Sequence, residues 1–168
     1  MTPYERVKLS RQRTAGVFPL PSPLDCIRYA ICELAEYDDA LLRLERIGDK
    51  RNNARQPDPR AELGQAFYML LSGFVSIAEW ASAPLMVEAE RYGYDAAYVY
   101  FGVLSELADL ARNMINEEEV DTVLYSYTSA WEGMLIICQC HGWDVAALVD
   151  DACATFEAKH AAARQVQP

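Results

Sequence analysis

Apolar residues recur every three or four positions along most of the chain, which is the period of an α-helix. Over residues 24–47 the pattern places one broad apolar arc on a helix, formed by Ile27, Ile31, Leu34, Leu41 and Leu42. No segment combines strict alternation with the Asn-Gly or Asp-Gly turns typical of β-hairpins. The pattern therefore predicts an all-α protein, a helical bundle of five or six helices.

Prolines, glycines and capping residues divide this pattern into segments. We predict an N-terminal arm over 1–23, a short basic segment with helical character followed by a Pro-rich run. The remainder, 24–168, is predicted to be a single all-α domain. Asp58 and Asp144 are suitable helix caps, and Pro59 suits a first helical turn. The predicted helices cover 24–47, 59–82, 84–91, 95–115, 117–141 and 144–164.

Length and charge limit the classes of function. A chain of 168 residues suits one well-cored domain. No apolar run approaches the roughly 20 residues of a membrane span, and the basic N-terminus lacks the apolar stretch of a secretory signal. We therefore expect a cytoplasmic protein without membrane association. A net charge of −10 disfavours binding to a nucleic acid polymer but is compatible with a small phosphorylated ligand accompanied by Mg²⁺.

Cysteine spacing gives no support to a zinc site or a disulfide framework. The five cysteines lie within apolar helical stretches, so we predict reduced core residues. They are Cys26, Cys32, Cys138, Cys140 and Cys153.

Acidic residues three positions apart mark two of the predicted helices. Glu33 and Glu36 lie on the first, and Glu62 precedes Gln65 by three residues on the second. Positions i and i+3 share a helix face. Glu33 and Glu62 fall at the margin of the apolar arcs, where a bare carboxylate is costly to bury. Two such helices could hold a divalent cation. Alternatively, the acids are surface charges paired with Arg28, Arg43 or Arg60.

Two further stretches carry candidate features. The helix 95–115 repeats the acidic spacing in Glu106-Leu-Ala-Asp109. The connection GDKRNNARQPDP is basic and is either a solvated loop or a lid over bound phosphates. The nearly all-apolar helix 117–141 is expected to be central or to lie at a subunit interface.

The order of these motifs resembles that of the MazG-like, all-α nucleoside triphosphate pyrophosphohydrolases, which include the dimeric dUTPases. The family signature is ExxE, a variable connection, then ExxD at the start of an apolar helix. Here Glu33-x-x-Glu36 is followed by Glu62-x-x-Gln65 and AFYMLL, so Gln65 stands where the family has Asp. The segment HGWDVAALVDDACATFEAKHAAARQ is similar to the family's last helix. The resemblance implies a MazG-like four-helix core.

The resemblance also implies a function in nucleotide house-cleaning, the Mg²⁺-dependent or Mn²⁺-dependent hydrolysis of a nucleoside triphosphate to the monophosphate and pyrophosphate. Glu33, Glu36 and Glu62 would be the catalytic residues and metal ligands. Because Gln65 is neutral, Asp109, Glu106 or Asp39 could complete the site, or catalysis has been lost. Phosphates would contact Lys50, Arg51, Lys159 or Arg164, and the base would contact Phe67, Tyr68, Asn52 or Asn53. A homodimer or homotetramer is expected.

Two other classes compete with this enzyme. Gln65 and the apolar helix 117–141 are compatible with a catalytically degenerate helical adaptor or oligomerising module of the same fold. A di-iron carboxylate bundle requires two Glu-x-x-His motifs. The chain contains one, Glu157-x-x-His160, so this hypothesis is weak.

Overall fold

The computed structural model describes residues 1–45, 58–76 and 95–166, and all regular structure in these ranges is helical. This confirms the prediction of an all-α bundle. The predicted helix 84–91 and most of the basic connection, including Lys50 and Arg51, lie outside the described residues. The helices are α1 (Pro3–Thr14), α2 (Pro23–Glu45), α3 (Pro59–Ser76), α4 (Ala96–Ile115), α5 (Val120–His141) and α6 (Val145–Val166).

Local capping explains where these helices begin and end. The side chains of Asp58 and Asp144 accept hydrogen bonds from the backbone N–H groups of Arg60 and Ala146, as expected for N-terminal caps. Helix α5 starts at Val120 rather than at 117, because Glu117 follows the α4 C-cap Asn116 with a left-handed φ of 54°, which a helix cannot contain. Its last turn ends at Gly142, whose φ of 67° suits glycine.

Two helix pairs form the core. Helices α2 and α3 pack along their length in antiparallel orientation, so that Gly73 near the end of α3 meets Cys26 near the start of α2. Helices α4 and α5 form the second pair, with Gly133 against Val103. The α4–α5 pair contacts α2 chiefly through α4. The interior is continuous across both pairs and includes the fully buried Leu34, Phe67, Leu107 and Tyr127.

Helix α6 covers α3 on another side and carries α1 with it. Gly64 permits close approach, because a Cβ at this position would lie 2.9 Å from the carbonyl oxygen of Leu148. Helix α1, which the sequence pattern placed in an N-terminal arm, packs against α3 and α6 with Val7 fully buried. Arg11 is 6% exposed and donates from Nε to Ser72 Oγ at 2.8 Å. The start of α3 therefore lies between α2 and α6, and the second half of α3 contacts α1.

The cysteines divide into two groups. All five are reduced, and Cys26, Cys138 and Cys153 are buried as predicted. Cys32 and Cys140 are exposed, so the prediction of a core position was wrong for these two. In the part of the chain described by the structure, no helix has the length and apolar character needed to cross a bilayer.

Candidate metal centre

Three glutamates from two helices meet at one point of the structure. Glu33 and Glu36 lie one turn apart on α2, and Glu62 lies in the first turn of α3. One oxygen from each carboxylate can be chosen so that all three lie within 4.8 Å of one another. Ligands on opposite sides of a single Mg²⁺ are about 4.2 Å apart, twice the usual Mg–O distance. The donor set therefore fits one hard divalent cation after small side-chain rotations.

Burial and nearby negative charge disfavour the charged forms of Glu33 and Glu62. Burial, followed by the negative charges of Glu36 and Glu62, raises the pKa of Glu33 to about 7, while Lys159 opposes the change. The pKa of Glu62 is raised chiefly by burial and then by the negative charges of Glu36 and Asp58. A divalent cation would relieve this repulsion, since it adds positive charge where the carboxylates concentrate negative charge.

The arginines proposed as partners of these acids are paired elsewhere. Arg28 contacts Asp25 at 3.4 Å, and Arg43 contacts Asp39 at 2.6 Å. Arg60 contacts Asp151 at 2.8 Å. The described residues therefore do not support the alternative in which these three arginines neutralise Glu33, Glu36 and Glu62.

Gln65 lies beside the cluster and contacts Glu62. Its Nε2 donates a hydrogen bond of 2.8 Å to Glu62 Oε2. The hydrogen bond favours the charged form of Glu62 and engages one of its two oxygens. Gln65 thus contacts the cluster without adding the negative charge that an aspartate would bring.

A cavity of about 530 Å³ opens next to Glu62, between the start of α3 and the middle of α6. Lys159, predicted as a phosphate contact, lines this cavity together with Thr155 and Gln65. Arg60, which the sequence analysis considered as an ion-pair partner of the acids, also lines it. Asp58 and Asp151 also line the cavity, and Asp151 pairs with Arg60, so within the described residues the cation that an anionic ligand would meet free of an ion pair is Lys159.

The other acids considered as ligands lie elsewhere. Asp109 forms an ion pair with Arg112 at 2.7 Å and does not join the three glutamates, and Asp39 is held by Arg43. Glu106 lines a separate groove between α4 and α5. The expectation that Asp109 supplies a metal ligand therefore finds no support in the described structure.

Several residues predicted to contact the substrate do not line the cavity beside Glu62. The guanidinium of Arg164 lies against Gly16, with Nη2 3.1 Å from the place a Cβ would occupy, and it does not line the cavity. Phe67 and Tyr68 are fully buried, and they pack on Trp131 and Phe156 with ring centroids 5.3 Å and 4.3 Å apart. The expectation that they contact a base was wrong, because the packing around α3 encloses both rings. Asn52 and Asn53 lie outside the described residues.

The single Glu-x-x-His motif is not arranged as a pair of metal ligands. Glu157 accepts a hydrogen bond of 2.6 Å from Arg6 Nη1 and also contacts Arg13 at 3.5 Å. His160 is buried and its ring packs edge-on against Phe18. These contacts give the motif a role in packing α1 and the following turn against α6.

The chain matches no protein-family model, and no curated protein and no solved structure matches it. The site is therefore interpreted from its own chemistry. Three carboxylates that can surround one cation, next to a cavity with Lys159 and Arg60, form an arrangement able to bind a divalent cation together with a phosphorylated ligand.

Proposed function

We propose that this chain is a Mg²⁺-dependent nucleoside triphosphate pyrophosphohydrolase of the MazG-like type, which converts a nucleoside triphosphate to the monophosphate and pyrophosphate. The observation that supports the proposal is the convergence of Glu33, Glu36 and Glu62 within 4.8 Å. Their order along the chain is that of the family's ExxE and ExxD motifs, and the second motif ends here in Gln65.

In this proposal Glu33, Glu36 and Glu62 hold Mg²⁺ or Mn²⁺. When bound, the ion supplies positive charge to the triphosphate and makes a coordinated water more acidic. A carboxylate of the three that is not fully engaged with the ion would accept the proton of the attacking water. The water oxygen forms the new bond to the α-phosphorus, and the bond from that phosphorus to pyrophosphate breaks.

We assign the cavity beside Glu62 to the leaving pyrophosphate. Lys159 is exposed and lines the cavity, so its ammonium can contact phosphate oxygens as a mobile point charge. Arg60 lies in the first turn of α3, where the backbone N–H groups also favour an anion. Its present partner, Asp151, is largely exposed and can yield to a phosphate at little cost.

The proposal is tested by pyrophosphate release from a panel of nucleoside triphosphates with and without Mg²⁺. Glu33→Gln and Glu62→Gln should each abolish turnover and leave the helical circular dichroism unchanged. Glu118→Gln, in the exposed α4–α5 turn, is the matched control and should retain full activity. Activity retained in both site variants would overturn the assignment.

One observation favours a second candidate, a catalytically degenerate helical adaptor or oligomerising module of the same fold. Gln65 contributes a neutral amide that is already hydrogen-bonded to Glu62, so the site carries one negative charge fewer than the family motif. An adaptor predicts neither turnover nor metal binding in the same assays. Cytoplasmic location and assembly into a homodimer or homotetramer stay predictions.

A further inference from the structure

A groove of about 670 Å³ runs between helices α4 and α5 on their exposed side. Its walls include Phe101, Gly102, Glu106, Ser129, Glu132 and Ile136, and none of these residues lines the cavity beside Glu62. Phe101 is 68% exposed, although a phenylalanine is usually buried in a core or an interface. The groove is therefore a separate feature of the surface that needs its own physical explanation.

Apolar surface extends beyond the groove along α5. Tyr125 is 72% exposed and lies seven residues, or two turns, before Glu132. Residues seven apart share one line of a helix, so Tyr125 continues the line through Glu132 and Ile136. This line is about 16 Å long at 1.5 Å per residue. A small-molecule site usually encloses most of its ligand, whereas an open face of this length fits an elongated macromolecular element.

Two carboxylates give the groove a negative charge. Glu106 and Glu132 are both half-buried in its walls, and neither forms an ion pair or a side-chain hydrogen bond in the part of the chain that the structure describes. The charged neighbour that acts on Glu106 is another acid, Asp109, and the adjacent Arg112 contacts Asp109 at 2.7 Å. Carboxylates partly withdrawn from water favour a cation nearby. The groove therefore suits a positively charged occupant.

The charge of the surrounding surface limits the kind of partner. From Ala96 to His141 the chain contains seven aspartates and glutamates but one arginine and no lysine. This face would repel an anionic partner, such as a nucleic acid or an anionic membrane. A second copy of the chain would bring its own Glu106 and Glu132 to the same groove, and the four carboxylates would repel one another. A partner that carries lysine or arginine side chains neutralises this charge.

The shape of the groove indicates what else the partner presents. A Cβ at Gly102 would meet no atom within 4 Å, so the surface of α4 is open at this point. A large apolar side chain of the partner can occupy this space and contact Phe101 and Ile136, which also line the groove. An amphipathic helix presents apolar residues in one stripe and can carry positive charges beside it. Such a helix matches both the apolar surface and the two acids.

We propose that the α4–α5 groove binds a basic amphipathic helix of a partner protein. Large apolar side chains of that helix contact Phe101, Gly102 and Ile136, and its lysine or arginine side chains pair with Glu106 and Glu132. The interaction does not depend on nucleotide hydrolysis, because the groove shares no lining residue with the cavity beside the glutamate cluster.

A synthetic peptide serves as the probe for this groove. It has about 18 residues, or five turns, of leucine and lysine, with leucine at every third or fourth position so that the helix has one apolar stripe. A scrambled peptide of the same composition lacks the stripe, and a third peptide has glutamate in place of lysine. Binding to the full chain is measured by fluorescence anisotropy in about 150 mM salt, which screens non-specific attraction. We expect a Kd below about 100 μM for the first peptide and at least tenfold weaker binding of the other two.

Variants of the chain locate the binding surface. Glu106→Gln combined with Glu132→Gln removes both acids and should weaken peptide binding at least tenfold. Gly102→Arg should do the same, because it fills the groove with a like charge. The matched control is Glu118→Gln combined with Glu119→Gln, which removes two exposed charges in the α4–α5 turn and should change the Kd less than twofold. None of these positions is buried, so every variant should keep the helical circular dichroism of the wild type.

Several results would overturn the proposal. Absence of binding by the basic amphipathic peptide is one, and equal binding of the scrambled peptide is another. An equal loss of affinity in the Glu118 and Glu119 control would show only a general attraction to an acidic chain. Self-association that Gly102→Arg abolishes, without peptide binding, would assign the face to a second copy. Binding to phosphatidylcholine vesicles but not to the peptide would assign it to a membrane.

Discussion

Replacing Glu33 by glutamine should stabilise the metal-free protein at alkaline pH and remove its stabilisation by Mg²⁺. In the folded chain the pKa of Glu33 is about 7, because burial and the charges of Glu36 and Glu62 oppose ionisation. In an unfolded chain a glutamate titrates near 4.5. The folded state therefore binds the Glu33 proton more tightly, and the contribution of Glu33 to the free energy of unfolding is highest below about pH 4.5. It decreases as the pH rises through 7 and then levels off.

The size of the effect follows from the two pKa values. Each pKa unit corresponds to about 1.36 kcal/mol, so ionisation of Glu33 lowers the free energy of unfolding by at most about 3 kcal/mol between acid and pH 8. Because the side chain is only half-buried, solvent screening reduces this to about 1–2 kcal/mol. Glutamine keeps the shape without the charge. We expect Glu33→Gln to gain about 1–2 kcal/mol at pH 8 and almost nothing near pH 4.5.

Urea unfolding followed by far-ultraviolet circular dichroism measures this gain, with a chelator present and then with Mg²⁺ in excess. Glu118→Gln is the control for loss of one surface charge. Saturating Mg²⁺ should stabilise the wild type by about 2.7 kcal/mol at a hundred times its Kd. It should leave Glu33→Gln nearly unchanged. A variant less stable than the wild type at pH 8 in the chelator would refute the reasoning, because the carboxylate would then be favourably paired in the folded protein.

Two other substitutions have distinct outcomes. Lys159→Met removes the cation that favours ionised Glu33 and Glu62, so Mg²⁺ binding should shift to higher pH. Nucleotide affinity should fall roughly tenfold, or ~1.4 kcal/mol. Calorimetric titrations at several pH values measure both effects, and an unchanged profile would mean that Lys159 is remote from the ligand. Gly64→Ala introduces a Cβ 2.9 Å from the Leu148 carbonyl oxygen and should cost about 1–3 kcal/mol in thermal unfolding. A neutral effect of that substitution would mean that α3 and α6 are less closely packed.

The helices could be predicted because their signals are local. The 3.6-residue period and the caps at Asp58 and Asp144 act within a few residues of chain, and the structure contains them where expected. The acidic spacing on α2 and at the start of α3 is also local, so Glu33, Glu36 and Glu62 could be identified together. Their convergence depends on the antiparallel packing of α2 and α3. The positions of Glu33 and Glu62 at the margins of the apolar arcs indicated that two such helices could hold a cation, but not how the helices are oriented.

Contacts between distant helices could not be predicted in the same way. Asp109 has the same spacing from Glu106 as Glu36 has from Glu33, and only the packing of α4 shows that it pairs with Arg112. Phe67 and Tyr68 belong to an apolar run, and the run itself does not reveal that α3 is enclosed by its neighbours. Arg60 reaches the cavity because α6 lies across the start of α3. Each of these outcomes depends on tertiary packing.

The central claim is that Glu33, Glu36 and Glu62 together bind a divalent cation. Isothermal titration calorimetry of the chelator-treated full chain with Mn²⁺ tests it most directly, since binding is measured without any assumption about substrate. We predict saturable binding at one site per chain that is lost in Glu62→Gln and retained in Glu118→Gln. Absence of binding by the wild-type chain, or equal binding by Glu62→Gln, would contradict the claim.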